Sequence, residues 1–191
     1  MISPSSDFIT NLSNCYPGRA SIAPILDMFI TLLSMGQKGY IELLKERTRL
    51  VPIFREGLQR VLTSHGLTIL PSAGNTISMA VSVNTLLEGV DSKSSPADAT
   101  FVGSMLFRRN VSGCRVVART TKITNISGYA FQNWGSHINN YPHDYFTVAC
   151  AIGLREQEIV QFLERLHKVL GKVEKQNKSI TRNSSDGEAK S

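Results

Sequence analysis

A chain of 191 residues with 41% hydrophobic and 19% charged residues is long enough to bury a core as one domain, and its composition excludes a wholly disordered polymer. A formal charge of +6 and a pI near 9.4 favour an anionic partner, whether nucleic acid, an acidic membrane face or a phosphorylated substrate, and leave open a merely basic soluble domain. Three scattered cysteines (Cys15, Cys114, Cys150) without a CxxC suggest neither a disulfide framework nor a zinc site. No apolar run approaches the roughly 20 residues that span a bilayer and no leader is visible, so a reduced, cytoplasmic protein away from the membrane is expected.

Ser6 offers an N-cap for a short helix that ends before Cys15-Tyr16-Pro17-Gly18-Arg19, where Pro and Gly together read as a turn. Ile22, Ile25, Leu26, Phe29, Leu32 and Leu33 then recur at helical spacing up to Gly36, a glycine stop. A longer helix is predicted from about Lys38 to Thr63, with a kink or break at Pro52. After Gly66 the period becomes alternating, which predicts strands over Leu67 to Leu70 and Thr76 to Val83. Ala97 to Arg108 reads as a helix and Cys114 to Arg119 as a third strand. Pro142 suits the first turn of a helix running to Gly153, and Glu156 to Lys175 carries the last helical stripe. The predicted architecture is α+β, helices packed on one face of a small antiparallel or mixed sheet. Its expected divisions are a linker and helix over 1–36, a compact domain over 37–175 and a disordered polar tail over 176–191.

The stretch from Ser104 to Pro142 carries Arg108, Arg109, Arg115, Arg119 and Lys122 and no carboxylate. Adjacent helical residues point about 100° apart, so Arg108 and Arg109 cannot share one role. Either could satisfy the last carbonyls of its helix, and either could read a guanine edge at about 1 to 3 kcal/mol of discrimination. Arg19, on its Pro-Gly turn, could bind a phosphate through two parallel charge-assisted hydrogen bonds, or could cap a helix or pair with a carboxylate. Lys168, Lys172 and Lys175 share a helix face that could track a phosphate backbone or simply be solvated. No nucleophile elbow and no phosphate-cradling glycine loop occurs, and His65, His137, His143 and His167 are too far apart in sequence to suggest a metal cluster. His137 and His143, without a paired carboxylate at useful spacing, read as structural hydrogen-bonding groups rather than acid/base catalysts.

Four separated blocks go further: YPGRAS (Tyr16 to Ser21), LLSMGQKGYIELLKER (Leu32 to Arg47), GSMLFRRNVSG with RVV (Gly103 to Val117), and SGYAF through SHINNYP to ACAIG (Ser127 to Gly153). In this order they closely resemble the O-phosphoseryl-tRNA(Sec) selenium transferases. The resemblance implies the C-terminal small domain of a fold-type I, pyridoxal 5'-phosphate-dependent enzyme that converts phosphoserine on selenocysteine tRNA to selenocysteine with selenophosphate, in a homo-oligomer, a tetramer in the full-length family. It implies that Arg19 binds the substrate phosphate, that Arg109 contacts the discriminator base of the tRNA, and that Lys175 contacts the acceptor arm. Arg108 receives no role, and the cofactor-binding lysine is expected outside this chain, which alone would be inactive. The alternatives are another fold-type I lyase or decarboxylase acting on a phosphorylated amino compound, and a tRNA-binding module without chemistry.

Overall fold

The computed structural model describes residues 6–15, 21–87, 99–119, 123–134 and 138–188, with side chains described as far as Asn177. The chain divides into two compact units, Met1–Glu42 and Leu43–Ser191. The described residues of the first unit are almost all helical. It holds α1 (Ser6–Cys15) and the beginning of α2 (Ala23–Thr63), whose backbone leaves helical geometry at Gly36, with φ 65° and ψ 172°. The glycine predicted as a stop is thus the point where two helical segments meet, since a residue with a Cβ would be strained at that φ. At Pro52 the expected break does not occur. Pro52 itself is exposed, while Leu50, Phe54, Leu58 and Leu62 of the same helix are buried, and this anchoring outweighs one lost backbone hydrogen bond.

The second unit is the α+β body that the sequence predicts. Its sheet runs in the order β1-β2-β6-β3, antiparallel throughout. The strands are β1 (Thr68–Leu70), β2 (Ser78–Ser82), β3 (Arg115–Val117) and β6 (Tyr145–Ala149). Met79, Val81, Phe146 and Val148 alternate onto one face, where they join the buried residues of α2, α4 (Ala99–Phe107) and α5 (Glu156–Glu188). The opposite face carries a small cluster of Leu70, Val117 and Tyr145, with Ala80 and Tyr141 packed against it. A single-turn helix, α3 (Asn84–Leu87), follows β2.

Two expectations are corrected here. The helix predicted from Pro142 to Gly153 is instead β6, a central strand paired with β2 on one side and β3 on the other. Tyr145, Phe146, Thr147 and Val148 are strand-formers, and the ladder on both edges decides between two readings that a short apolar run leaves close. The stretch after β3, for which the sequence predicts no element, contains a hairpin, β4 (Ile123–Ile126) and β5 (Tyr129–Gln132), joined at Ser127 (φ 50°) and Gly128 (φ 82°). Two consecutive positive φ values match a type I′ turn, whose twist suits antiparallel strands. The polar segment expected as a tail from 176 continues α5 to Glu188. Asn177 is buried there and donates to the Leu86 carbonyl at 2.6 Å.

Candidate nucleic-acid interface

The segment that leaves α4 is fixed by its own backbone. Val111 N donates to Leu106 O (3.1 Å) and Asn110 N to Phe107 O (3.0 Å), while Asn110 adopts φ 57°. That pair of bonds around a left-handed residue is a Schellman ending, in which asparagine replaces the usual glycine, and the accompanying apolar contact is supplied by Leu106 and Val111, both in the core. Arg109 is therefore the residue at the cap itself. From the facing helix α5, Arg165 Nη1 donates to Asn110 O at 3.2 Å, so the turn is braced from outside as well as from within.

On this rigid turn Arg108 is exposed and Arg109 half-buried. Arg109 Nη1 donates to Met105 O at 3.2 Å, which is the carbonyl-satisfying role the sequence left open. A guanidinium has five N–H donors in a fixed fork, so one such bond orients Arg109 without consuming it. Among the described residues Arg109 forms no ion pair with a carboxylate. Arg119 differs. Its Nε and Nη2 donate to Asp144 Oδ2 (3.1 and 2.9 Å), its backbone N–H to Asp144 Oδ1 (2.6 Å) and its Nη1 to Pro142 O (3.0 Å). This arginine ties β3 to the start of β6 and is structural.

Lys168, Lys172 and Lys175 are exposed on α5. Arg165, on that helix, touches the turn that holds Arg109, and Lys175 lies ten residues beyond it, about 15 Å along the axis at 1.5 Å per residue. A small anion cannot bridge such a separation, whereas a nucleic-acid duplex arm can lie along it. Arg19, Lys122 and His137 lie outside the described residues. His143 is structural, as expected: its Nδ1 faces Ser82 Oγ (3.2 Å) and Asn84 Nδ2 (3.3 Å).

Two clefts flank these features. One, of about 440 Å³, lies beneath the turn after α4, with Phe54, Val111, Val148, Ile159 and Phe162 as apolar lining and Ser112, Gln161 and Arg165 as polar lining. Cys114 also lines it, and burial pushes its thiol above the usual range. The other, of about 390 Å³, is polar, lined by Arg119, Gln132, Asn133, Asn139, Asn140, Tyr141 and Asp144. Pyridoxal phosphate attaches through a lysine amine, and among the described residues no lysine lines either cleft. These residues do not fit the cofactor, and no chemical step through it follows from them. Among the described residues no helix is long and apolar enough to cross a membrane.

The model of the family "O-phosphoseryl-tRNA(Sec) selenium transferase, SepSecS" matches residues 1–171. The chain belongs to this family. It is 43% identical over 178 residues to the O-phosphoseryl-tRNA(Sec) selenium transferase of Dictyostelium discoideum, covering 88% of this chain and 37% of that protein. The transferase of the same name from Methanocaldococcus jannaschii is 31% identical over 163 residues, covering 85% of this chain and 32% of its own. The crystal structure of an archaeal O-phosphoseryl-tRNA(Sec) selenium transferase superposes with a TM-score of 0.60 at 29% identity, over 87% of this chain and 33% of that one. The chain thus spans about a third of the length of these relatives. The α+β reading and the family named from four sequence blocks both stand.

Proposed function

We propose that this chain is the tRNA-gripping part of a selenium transferase that converts O-phosphoseryl-tRNA(Sec) to selenocysteinyl-tRNA(Sec). The observation that carries this reading is the turn after α4. It is locked by its Schellman bonds and by Arg165, and it presents Arg109, bound to a carbonyl and to no described carboxylate. Arg109 reads the base at the end of the acceptor arm, while Lys175, with Lys168 and Lys172, holds the phosphates of the arm along α5. Arg19 binds the phosphate of the phosphoseryl group, each charge-assisted hydrogen bond contributing about 1.5 to 3 kcal/mol.

The chemistry itself is supplied by pyridoxal phosphate, with selenophosphate as selenium donor. We place the attachment lysine in the two thirds of the transferase that this chain does not span, and the complete enzyme in a cytoplasmic homo-oligomer, a tetramer. What this chain contributes is position, in that it fixes the end of the RNA so that the phosphoseryl group reaches the rest of the site.

Fluorescence anisotropy of the 191-residue chain with selenocysteine tRNA, measured across a salt series, tests the proposal. Three phosphate contacts (Lys168, Lys172, Lys175) correspond to a slope of log K against log salt of about −3. Lys175→Ala lowers its magnitude by about 1. Binding no tighter for selenocysteine tRNA than for an unrelated tRNA of equal length would sink the assignment.

A further inference from the structure

Two histidines 102 positions apart in sequence meet where the end of α2 packs against α5. His65 Nε2 and His167 Nδ1 are 2.9 Å apart, and His65 Nδ1 lies 2.7 Å from Glu174 Oε1. The His65 side chain is 5% exposed and that of Glu174 30%, whereas His167 is exposed. Glu174 accepts the Nδ1–H of His65 and so fixes the tautomer that leaves Nε2 with its lone pair directed at His167. The ring centres are 4.8 Å apart and the planes tilted by 51°. A straight N–H···N bond of this length would hold the centres farther apart, so the contact is bent away from the ring axes.

We infer that His65 Nε2 and His167 Nδ1 form a two-histidine seat for a divalent transition-metal ion of tetragonal preference, Ni²⁺ or Cu²⁺. Imidazole nitrogens bind such ions at about 2.0 to 2.1 Å, and two of them at a right angle around one ion lie about 2.9 Å from each other. That is the separation found here, and it is shorter than the roughly 3.4 Å that tetrahedral zinc geometry sets between two ligands at the same bond length. A carboxylate on the far nitrogen of a ligating histidine is the arrangement that orients such ligands and raises their basicity, and Glu174 supplies it. Among the described residues no group of three or more His, Cys, Asp or Glu is arranged to hold a metal, so water completes the coordination. Proton balance is simple: His167 transfers its own proton from Nδ1 to Nε2 as the ion binds, and neither histidine changes charge. The occupied seat cross-links the end of α2 to α5.

The untagged full chain is followed by thermal unfolding with and without 1 mM NiCl₂, ZnCl₂ or MgCl₂. The expected result is a rise in midpoint of several degrees with Ni²⁺, a smaller rise with Zn²⁺ and none with Mg²⁺, reversed by EDTA. His167→Gln, at an exposed position, abolishes the rise, and Glu174→Gln weakens Ni²⁺ binding about 10- to 100-fold. Independently of any variant, substoichiometric Cu²⁺ broadens the ring resonances of His65 and His167 before those of His143. A shift that survives His167→Gln, a Zn²⁺ shift larger than that of Ni²⁺, or broadening that starts at His143 overturns the assignment.

Discussion

Replacing Arg109 by alanine separates its two roles, because each has its own magnitude and its own readout. The guanidinium gives one hydrogen bond, to Met105 O at 3.2 Å, and a bond of that kind contributes about 0.5 to 1.5 kcal/mol. Removing it at a helix end already closed by Schellman bonds, where water can reach the carbonyl, lowers the unfolding midpoint by about 1 to 6 °C for a domain of this size. The remaining donors include a complete bidentate edge, and its loss costs about 1 to 3 kcal/mol of discrimination between guanine and another base. At 1.4 kcal/mol per decade this is about a 5- to 140-fold loss of preference. The assay is competitive binding of two selenocysteine tRNAs that differ only at the discriminator base, guanine against adenine. Arg109→Lys serves as the control that keeps the charge and loses the fork. In both variants the preference collapses, while Arg109→Lys keeps most of the salt-dependent affinity. If Arg109→Ala weakens both tRNAs equally, the side chain contacts a phosphate, and if it weakens neither, its role is confined to the helix end.

Phe146→Ala, at a position with 0% exposure on the central strand, lowers stability by about 3 to 5 kcal/mol in urea unfolding; a loss below 1 kcal/mol would contradict the placement of β6 in the core. Gly103→Ala sets a Cβ 2.6 Å from Val116 Cγ2, and because the stiff valine rotamer cannot retreat it costs about 1 to 3 kcal/mol in the same assay. Burial raises the Cys114 thiol above its ordinary 9.0, so the fold favours the neutral thiol: its contribution is fully present below pH 9.0 and is lost as pH rises through the higher folded value. Urea midpoints measured between pH 8 and 10.5 therefore fall, and fall less in Cys114→Ala.

The second unit was legible in the sequence wherever one period dominates. Leu50, Phe54, Leu58 and Leu62 repeat as a helix should, and Met79 and Val81 alternate as a strand should; all six are in the core. Tyr145 to Ala149 was illegible because five residues hold too little of either period, and what makes them a strand is the pairing of Phe146 with Val81 and with Val116, partners 65 and 30 positions away. The hairpin after β3 had a local signal, Ser127-Gly128 between two short apolar segments, which a search for Asn-Gly or Asp-Gly alone passes over. Within the site, the arginines could be found from charge without counter-charge, but not told apart. Arg119 became structural only once Asp144, 25 positions on, was seen to fold against it. The meeting of His65 and His167 depends wholly on α2 packing on α5, and no spacing rule reaches across that distance.

The pairing of β6 with β3 governs how the turn after α4 works. As a helix, Pro142 to Gly153 would have left β3 without a neighbour, and Arg115 to Val117 would have been a loose arm. As a strand, β6 pairs with β3 at Arg115, Val116 and Val117, so the chain leaving the turn is fastened within a few residues of Gly113. The other side is held by α4, with Met105 and Leu106 in the core, and the outside by Arg165. A guanidinium mounted between two fastened elements loses little further backbone freedom on meeting its ligand, and ordering a loop at about 1 to 2 kcal/mol per residue would cancel the whole 1 to 3 kcal/mol that one bidentate base contact can supply. Reading a single base with a single arginine is therefore worthwhile only from a mount of this kind, and the pairing of β3 with β6 is what makes the turn after α4 such a mount.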